Sequence, residues 1–308
     1  MSRLGSSILS LLLLFAIAAP AQAAPDGSRG NPLRVMLIPA DGGTETGTKA
    51  DYQPVFNAVS RMTGLHFDIK VGQSYGAVIE AMCNGLSDIA FFGPVSYIQA
   101  HNRGCAELLA VAVEKGESVY YAGMFTRIDA KLSSIKDVKG KRVAFGDVNS
   151  SSSFTYQMAM MMDSGLNPTR DLAEIRMTGS HANSLAALGQ GLVDVASASF
   201  DSYEKAVRQG TINPKQIKVL AKSEPIPYPP LALHTKLPAA TKAKLKDAFN
   251  KVHKADGVTP EMVRGYGGKK VDRYNANFPE SEFAVAGKKL ALVTDEIKGE
   301  ILKLSAKR

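Results

Sequence analysis

An α/β protein of two lobes facing one another across a ligand cleft is what this sequence predicts, and three observations carry the expectation. Apolar runs of strand length alternate with amphipathic stretches of helix length over residues 33–101, and the alternation resumes over 143–207. After the second series comes Pro225-Ile-Pro-Tyr-Pro-Pro230, too rigid for a helix interior and suited to a fixed crossing back to the first lobe. Strand-helix alternation argues for parallel strands, whose ligands sit beyond the carboxyl ends of the sheet.

Local signals set the order of elements. Residues 33–38 read as a buried strand ending at Pro39, and 52–62 as a helix with Phe56, Val59 and Met62 on one face, stopped by Gly64. A strand at 65–71, a helix at 75–82, a strand at 88–92, the Gly93-Pro94 turn and a helix at 95–101 follow. Two strand-like runs, 108–113 and 120–126, flank a polar segment at 114–118. The second series runs strand 143–145, helix 154–162, strand 174–178, helix 182–188, strand 193–197, helix 203–207 and a closing run at 218–221. Beyond the crossing, 231–234 reads as a strand and 243–252 as a helix with Leu245, Ala248, Phe249 and Val252 on one face. The lobes are accordingly expected at 30–117 with 231–308, and at 118–230.

The chain of 308 residues is 45% hydrophobic and 21% charged, which is enough for two packed domains and argues against disorder. Its first 23 residues are different: Arg3, an apolar stretch at 8–19 and Ala21-Gln22-Ala23 read as a secretory signal. That stretch is short for a membrane span and no cysteine stands at the cleavage point, so a soluble exported protein is expected. The net charge of +8 is spread along the chain without interleaved aromatics, which reads as solvated surface and gives no nucleic-acid partner. In an oxidising compartment Cys83 and Cys105 are expected to be joined, closing a loop worth about 3 kcal/mol on a chain-entropy argument. A two-cysteine metal or redox site, the alternative, lacks close C-x-x-C spacing.

The chemistry concentrates at Val143-Ala-Phe-Gly-Asp-Val-Asn-Ser-Ser-Ser-Ser-Phe154. A buried strand, a tight turn and an apolar helix place the serines at a helix start. There the unpaired amides, the positive end of the helix dipole and several hydroxyls together favour a tetrahedral oxyanion. The residues alone leave a plainer reading open, in which one serine caps the helix and the rest are solvated loop.

Five stretches in order, Tyr75-Gly-Ala-Val-Ile-Glu-Ala-Met82, Gly85-Leu-Ser-Asp-Ile-Ala-Phe-Phe-Gly-Pro-Val-Ser-Tyr97, Phe145-Gly-Asp-Val-Asn-Ser-Ser-Ser-Ser-Phe154, Thr178-Gly-Ser-His-Ala-Asn183 and Gly191-Leu-Val-Asp-Val-Ala196, carry a resemblance. The chain is similar to the periplasmic solute-binding proteins of phosphonate and phosphite ABC transporters up to about residue 235, and only loosely beyond. The resemblance implies the type II periplasmic binding protein fold, two α/β lobes joined by two crossings. It also implies a monomer in the periplasm that captures a small phosphorus oxyanion for an ABC permease in the inner membrane, with no cofactor or metal. As ligand residues it implies Ser150, Ser151 and Ser152 on the oxygens, with Tyr75, Tyr120, His181 and Asp201 around them.

Taken singly, these residues have plainer roles: Tyr75 as a packing residue at a helix flank, His181 and Asp201 as helix caps, and one of Tyr120 and Tyr121 as core. The chain also departs from what the resemblance implies for relatives that take aminoalkylphosphonates, which place a carboxylate just beyond the Ile-Pro pair. Here Ile226-Pro227 is followed by Tyr228-Pro229-Pro230. An ammonium buried there lacks a partner, so phosphite, hypophosphite or methylphosphonate is favoured, with Phe92, Pro94 or Tyr228 as an apolar wall. Two other functions compete: a ligand-sensing binding protein for another oxyanion, and a serine-dependent hydrolase. For the hydrolase, no G-x-S-x-G elbow, H-E-x-x-H, Walker A or dinucleotide fingerprint is present, so the protein is not expected to be an enzyme.

Overall fold

The computed structural model describes residues 25–39 and 45–307, so the expected signal at 1–23 lies outside the described residues. The first elements are β1 (Leu33–Leu37), α1 (Glu45–Thr63), β2 (Phe67–Val71), α2 (Tyr75–Cys83), β3 (Ile89–Phe91), α3 (Pro94–Asn102) and β4 (Ala106–Val113). The chain then passes through β5 (Val119–Tyr120) into β6 (Ala122–Arg127), β7 (Arg142–Phe145), α4 (Tyr156–Asp163), β8 (Glu174–Met177), α5 (His181–Gly189), β9 (Val195–Ser199), α6 (Phe200–Arg208) and β10 (Ile217–Lys222). It returns through β11 (Ile226–Pro227) to β12 (Pro230–His234), α7 (Ala239–Lys251), β13 (Arg273–Asn275), α8 (Ala284–Leu292) and α9 (Asp295–Ala306).

Among the described residues, one sheet has the order β13-β4-β12-β3-β1-β2, a second the order β10-β6-β9-β7-β8, and β5 pairs with β11. Strands reached through a helical crossover are parallel: β1 with β2 and β3, β7 with β8 and β9. The strands that receive the chain from the crossings, β6 and β12, are antiparallel to their neighbours. The two connections between the sheets lie side by side, with Tyr120 opposite Ile226 and Val119 opposite Pro227.

The first sheet carries one core, with Val35, Leu37, Ile89, Phe91 and Phe249 in it. The second is packed on both faces: Val143 and Phe145 join Phe154 and Met158 on one side, while Ala144 between them joins Leu185 and Leu188 on the other. Cys83, at the end of α2, is bonded to Cys105, just before β4, as the cysteine count led us to expect.

Three elements depart from the sequence reading. Helix α1 starts at Glu45 rather than residue 52 and contains Pro54; its extra turns are polar and add nothing to the apolar periodicity. The serines wind a π-helical turn, Ser151–Thr155, before α4, so that the Thr155 amide donates to the Ser150 carbonyl five residues back at 3.0 Å. The third concerns the C-terminus, expected with the first lobe. Helix α9 packs on β8, Ile301 and Val293 enter the core around Phe145, and the Met177 amide donates to Ser305 Oγ at 3.0 Å. An amphipathic helix shows only that one face is to be covered, not which sheet covers it.

Candidate functional site

Loops at the carboxyl ends of β3, β7 and β8 meet between the sheets. Gly146 opens the turn after β7, and a Cβ there would stand 2.3 Å from Ser153 Oγ, so glycine is what lets the serine turn fold back onto the strand end. Asp147 then ties the two sheets together. Its Oδ1 accepts the Asn149 amide at 2.8 Å, and its Oδ2 accepts the amide of Tyr75, the first residue of α2, at 3.2 Å. Burial raises the Asp147 carboxyl, and these amide bonds oppose the shift.

His181, the first residue of α5, is fully buried, and burial pushes its imidazole down to about 3, so the ring is neutral at pH 7. Its tautomer follows from its neighbours. Nδ1 accepts the Ser199 amide at 2.9 Å, which leaves the proton on Nε2. Around Nε2 lie the hydroxyls of Tyr266 at 2.9 Å, Tyr75 at 3.4 Å and Ser150 at 3.4 Å.

The serines are arranged by the same logic. Ser150 Oγ accepts the Ser153 amide at 3.1 Å, and Ser151 Oγ accepts the Val95 amide at 2.9 Å from the start of α3. A hydroxyl whose lone pair is filled by a backbone N–H is left as a donor. Tyr120 is buried with its hydroxyl against those of Ser152 and Ser151, and burial raises its phenol. The result is a buried, uncharged set of O–H and N–H donors, backed by backbone amides, at the start of a helical segment. Such a set suits an anion stripped of water.

Six of the seven residues singled out in the sequence therefore gather here: Tyr75, Tyr120, Ser150, Ser151, Ser152 and His181. Asp201, on α6, is engaged elsewhere. Its Oδ1 accepts from Lys269 Nζ at 3.0 Å, and burial, opposed by Lys269, lifts its carboxyl to about 6. Tyr121, the neighbour of Tyr120, faces the other way, beneath the Lys222 ammonium at 3.7 Å.

The sequence reading missed Tyr266 and Lys269. Both sit on the Tyr266-Gly267-Gly268-Lys269 turn between α7 and β13, where periodicity is absent and the resemblance is loose. The paired glycines, both at positive φ, were the available signal that an aromatic is held on a fixed turn. Tyr228 fills the position beyond Ile226-Pro227, 1% exposed and edge-on to Tyr120 at 5.9 Å. Among the described residues no group of three or more His, Cys, Asp or Glu is placed to hold a metal, and no helix is long and apolar enough to cross a membrane.

A sequence model of the family described as the phosphonate ABC transporter periplasmic substrate-binding protein matches residues 43–273. The chain is 29% identical over 235 residues to the phosphate-import protein PhnD of Mycolicibacterium smegmatis, covering 72% of this chain and 73% of that one. A binding protein component of an ABC phosphonate transporter from Pseudomonas aeruginosa shares the fold with a TM-score of 0.73 at 20% identity, over 89% of this chain and 96% of that one. PhnD1 from Prochlorococcus marinus, solved in complex with methylphosphonate, gives 0.72 at 13% identity, over 85% and 97%. These likenesses carry the type II periplasmic binding protein fold that the sequence led us to expect. With the family match spanning most of its length, this chain belongs to the periplasmic substrate-binding proteins of phosphonate ABC transporters.

Proposed function

We propose that the protein captures a small phosphorus oxyanion, phosphite, hypophosphite or methylphosphonate, and delivers it as an exported monomer to an ABC permease in the inner membrane. The observation that carries this reading is the amide-backed donor set: Ser150 Oγ, Ser151 Oγ and His181 Nδ1 each accept a backbone N–H, which leaves the two hydroxyl protons and the Nε2 proton to give. The same geometry disfavours a serine hydrolase. A base must take the serine proton, and a ring whose Nδ1 accepts an amide already carries its proton on the nitrogen facing Ser150.

Selectivity follows from what surrounds the donors. Phe92, Pro94 and Tyr228 are buried, Tyr228 edge-on to Tyr120 at 5.9 Å, and an apolar wall built from them suits a P–H or P–CH3 corner, where the fourth oxygen of phosphate or sulfate needs a donor. Ile226-Pro227-Tyr228 supplies no carboxylate for an amine. The expected order in a thermal-shift screen is phosphite and methylphosphonate above phosphate, sulfate and 2-aminoethylphosphonate, with an affinity margin of about tenfold, or about 1.4 kcal/mol. Equal shifts with phosphate and phosphite overturn that ordering. The phosphate-import name of the Mycolicibacterium relative makes phosphate the comparison to run first.

Two substitutions test the donors one at a time. Tyr75→Phe removes a hydroxyl and no backbone partner, so it is expected to weaken binding by about 1.5 kcal/mol without loss of stability. Ser151→Ala weakens binding by a similar amount and also strips the Val95 amide of its acceptor, lowering stability by about 1–3 kcal/mol. Calorimetry and thermal melts on both variants separate the two effects. Unchanged affinity in both removes the serine turn from the site.

A further inference from the structure

Beside the donor cluster, and sharing Tyr120 as a wall, is a cavity of about 290 Å3. Glu114, just past β4, and Asp201 and Glu204 on α6 border it. The Lys269 ammonium stands among these carboxylates, 2.9 Å from Glu114, 3.0 Å from Asp201 and 3.9 Å from Glu204. One acceptor is left over: Asp201 is 6% exposed, and its Oδ2 is buried without a partner. Lys269 is held there by backbone. Gly268 before it has φ +65°, and a Cβ at that residue would lie 2.4 Å from the Asp51 carboxylate, so the turn that delivers the lysine admits little variation.

We propose that Lys269 is a specificity-determining residue whose ammonium occupies the cation end of a compartment adjoining the oxyanion site, so that the protein itself fills the place an aminoalkylphosphonate's amine would take. The inference rests on the proposed placement of the oxyanion at the serine turn. Tyr120 meets the Ser151 and Ser152 hydroxyls and also lines the acidic cavity, so a two-carbon chain running along Tyr120 from a phosphonate at the serine turn would bring its ammonium toward the carboxylates around Lys269. Two ammonium groups in one cradle repel, whereas a ligand without an amine leaves the lysine and its carboxylates undisturbed. With the lysine gone, Glu114, Asp201 and Glu204 lose the ammonium that joins them, Lys115 and Lys222 remaining elsewhere on the cavity lining, and the pocket rewards an amine from the ligand.

The test compares ethylphosphonate with 2-aminoethylphosphonate, which differ only in the amine, by calorimetry on the exported protein and on Lys269→Met. Wild type is expected to bind ethylphosphonate about tenfold or more tightly than its amino counterpart. In Lys269→Met the ratio moves toward the amine by about tenfold or more, and in Lys269→Arg it stays as in wild type. The double variant Lys269→Met/Glu114→Gln leaves less uncompensated charge and is expected to fold and to show the same shift even where the single variant is too unstable to purify. An unchanged ratio in the lysine-to-methionine proteins, with ethylphosphonate still bound, overturns the role of Lys269 alone. Failure of wild type to bind any phosphonate or phosphite overturns the oxyanion site and this inference with it.

Discussion

His181→Ala is expected to lower phosphorus-oxyanion affinity by about a hundredfold, about 2.7 kcal/mol, the largest binding effect of any single substitution at the site. The ring acts on both sides. Its Nε2 proton is the central donor, with Tyr266, Tyr75 and Ser150 gathered around it, and its Nδ1 is the acceptor for the Ser199 amide at the start of α6. Alanine removes a donor to a charged acceptor and leaves a buried amide without a partner, so stability falls as well. The pH dependence distinguishes this histidine from a surface one. The unfolded chain binds the His181 proton near pH 6.5 and the folded chain only near 3, so wild-type stability falls as pH drops through that window. Asp201, raised to about 6, acts in the opposite sense between about 6 and 4, in wild type and variant alike. The gap in melting temperature between wild type and His181→Ala is therefore expected to narrow from pH 7 to pH 4. A gap that stays constant contradicts a buried neutral imidazole.

Tyr266→Ala is expected to produce the largest loss of stability, about 3–5 kcal/mol, the range for deleting a buried aromatic. Tyr266 is 2% exposed. Its ring stacks on Phe91 at 6.2 Å and meets Tyr120 at 5.6 Å and His181 at 5.9 Å edge-on, so it joins the first sheet, the crossing and the second sheet in one contact. Tyr266→Phe keeps the ring and removes the hydroxyl 2.9 Å from His181 Nε2. Chemical denaturation is expected to show a small effect for phenylalanine and a large one for alanine. Equal, small effects in both would place the residue outside the core.

These two residues mark the limits of what the sequence discloses. His181 was named through the family resemblance of the Thr178-Gly-Ser-His-Ala-Asn183 stretch, while the residue alone suggested only a helix cap. Tyr266 was not, because it is 85 residues from His181 in the chain and no periodicity surrounds it. The inner strands β3, β4, β9 and β12 were legible as short apolar runs, since they are buried almost throughout, whereas the polar edge strand β13, Arg273–Asn275, was not read as a strand. What escaped was set by long-range partners: the polar first turns of α1, the sheet that α9 covers, and the pairing of Asp201 with Lys269. The serines were recognised as a helix start, but their π winding depends on the fit of Ser153 against Gly146 and of Ser151 against Val95, which composition does not show.

The central claim is that the phosphorus oxyanion rests on the serine turn and the neutral imidazole, and a crystal structure of the protein with methylphosphonate tests it most directly. The phosphonate oxygens are predicted to lie within hydrogen-bond reach of the Ser151 and Ser152 hydroxyls, the Tyr120 phenol and His181 Nε2, with the methyl group turned toward the wall of Phe92, Pro94 and Tyr228. Methylphosphonate bound instead against Lys269 in the acidic compartment, with the serine turn and His181 untouched, would contradict the account.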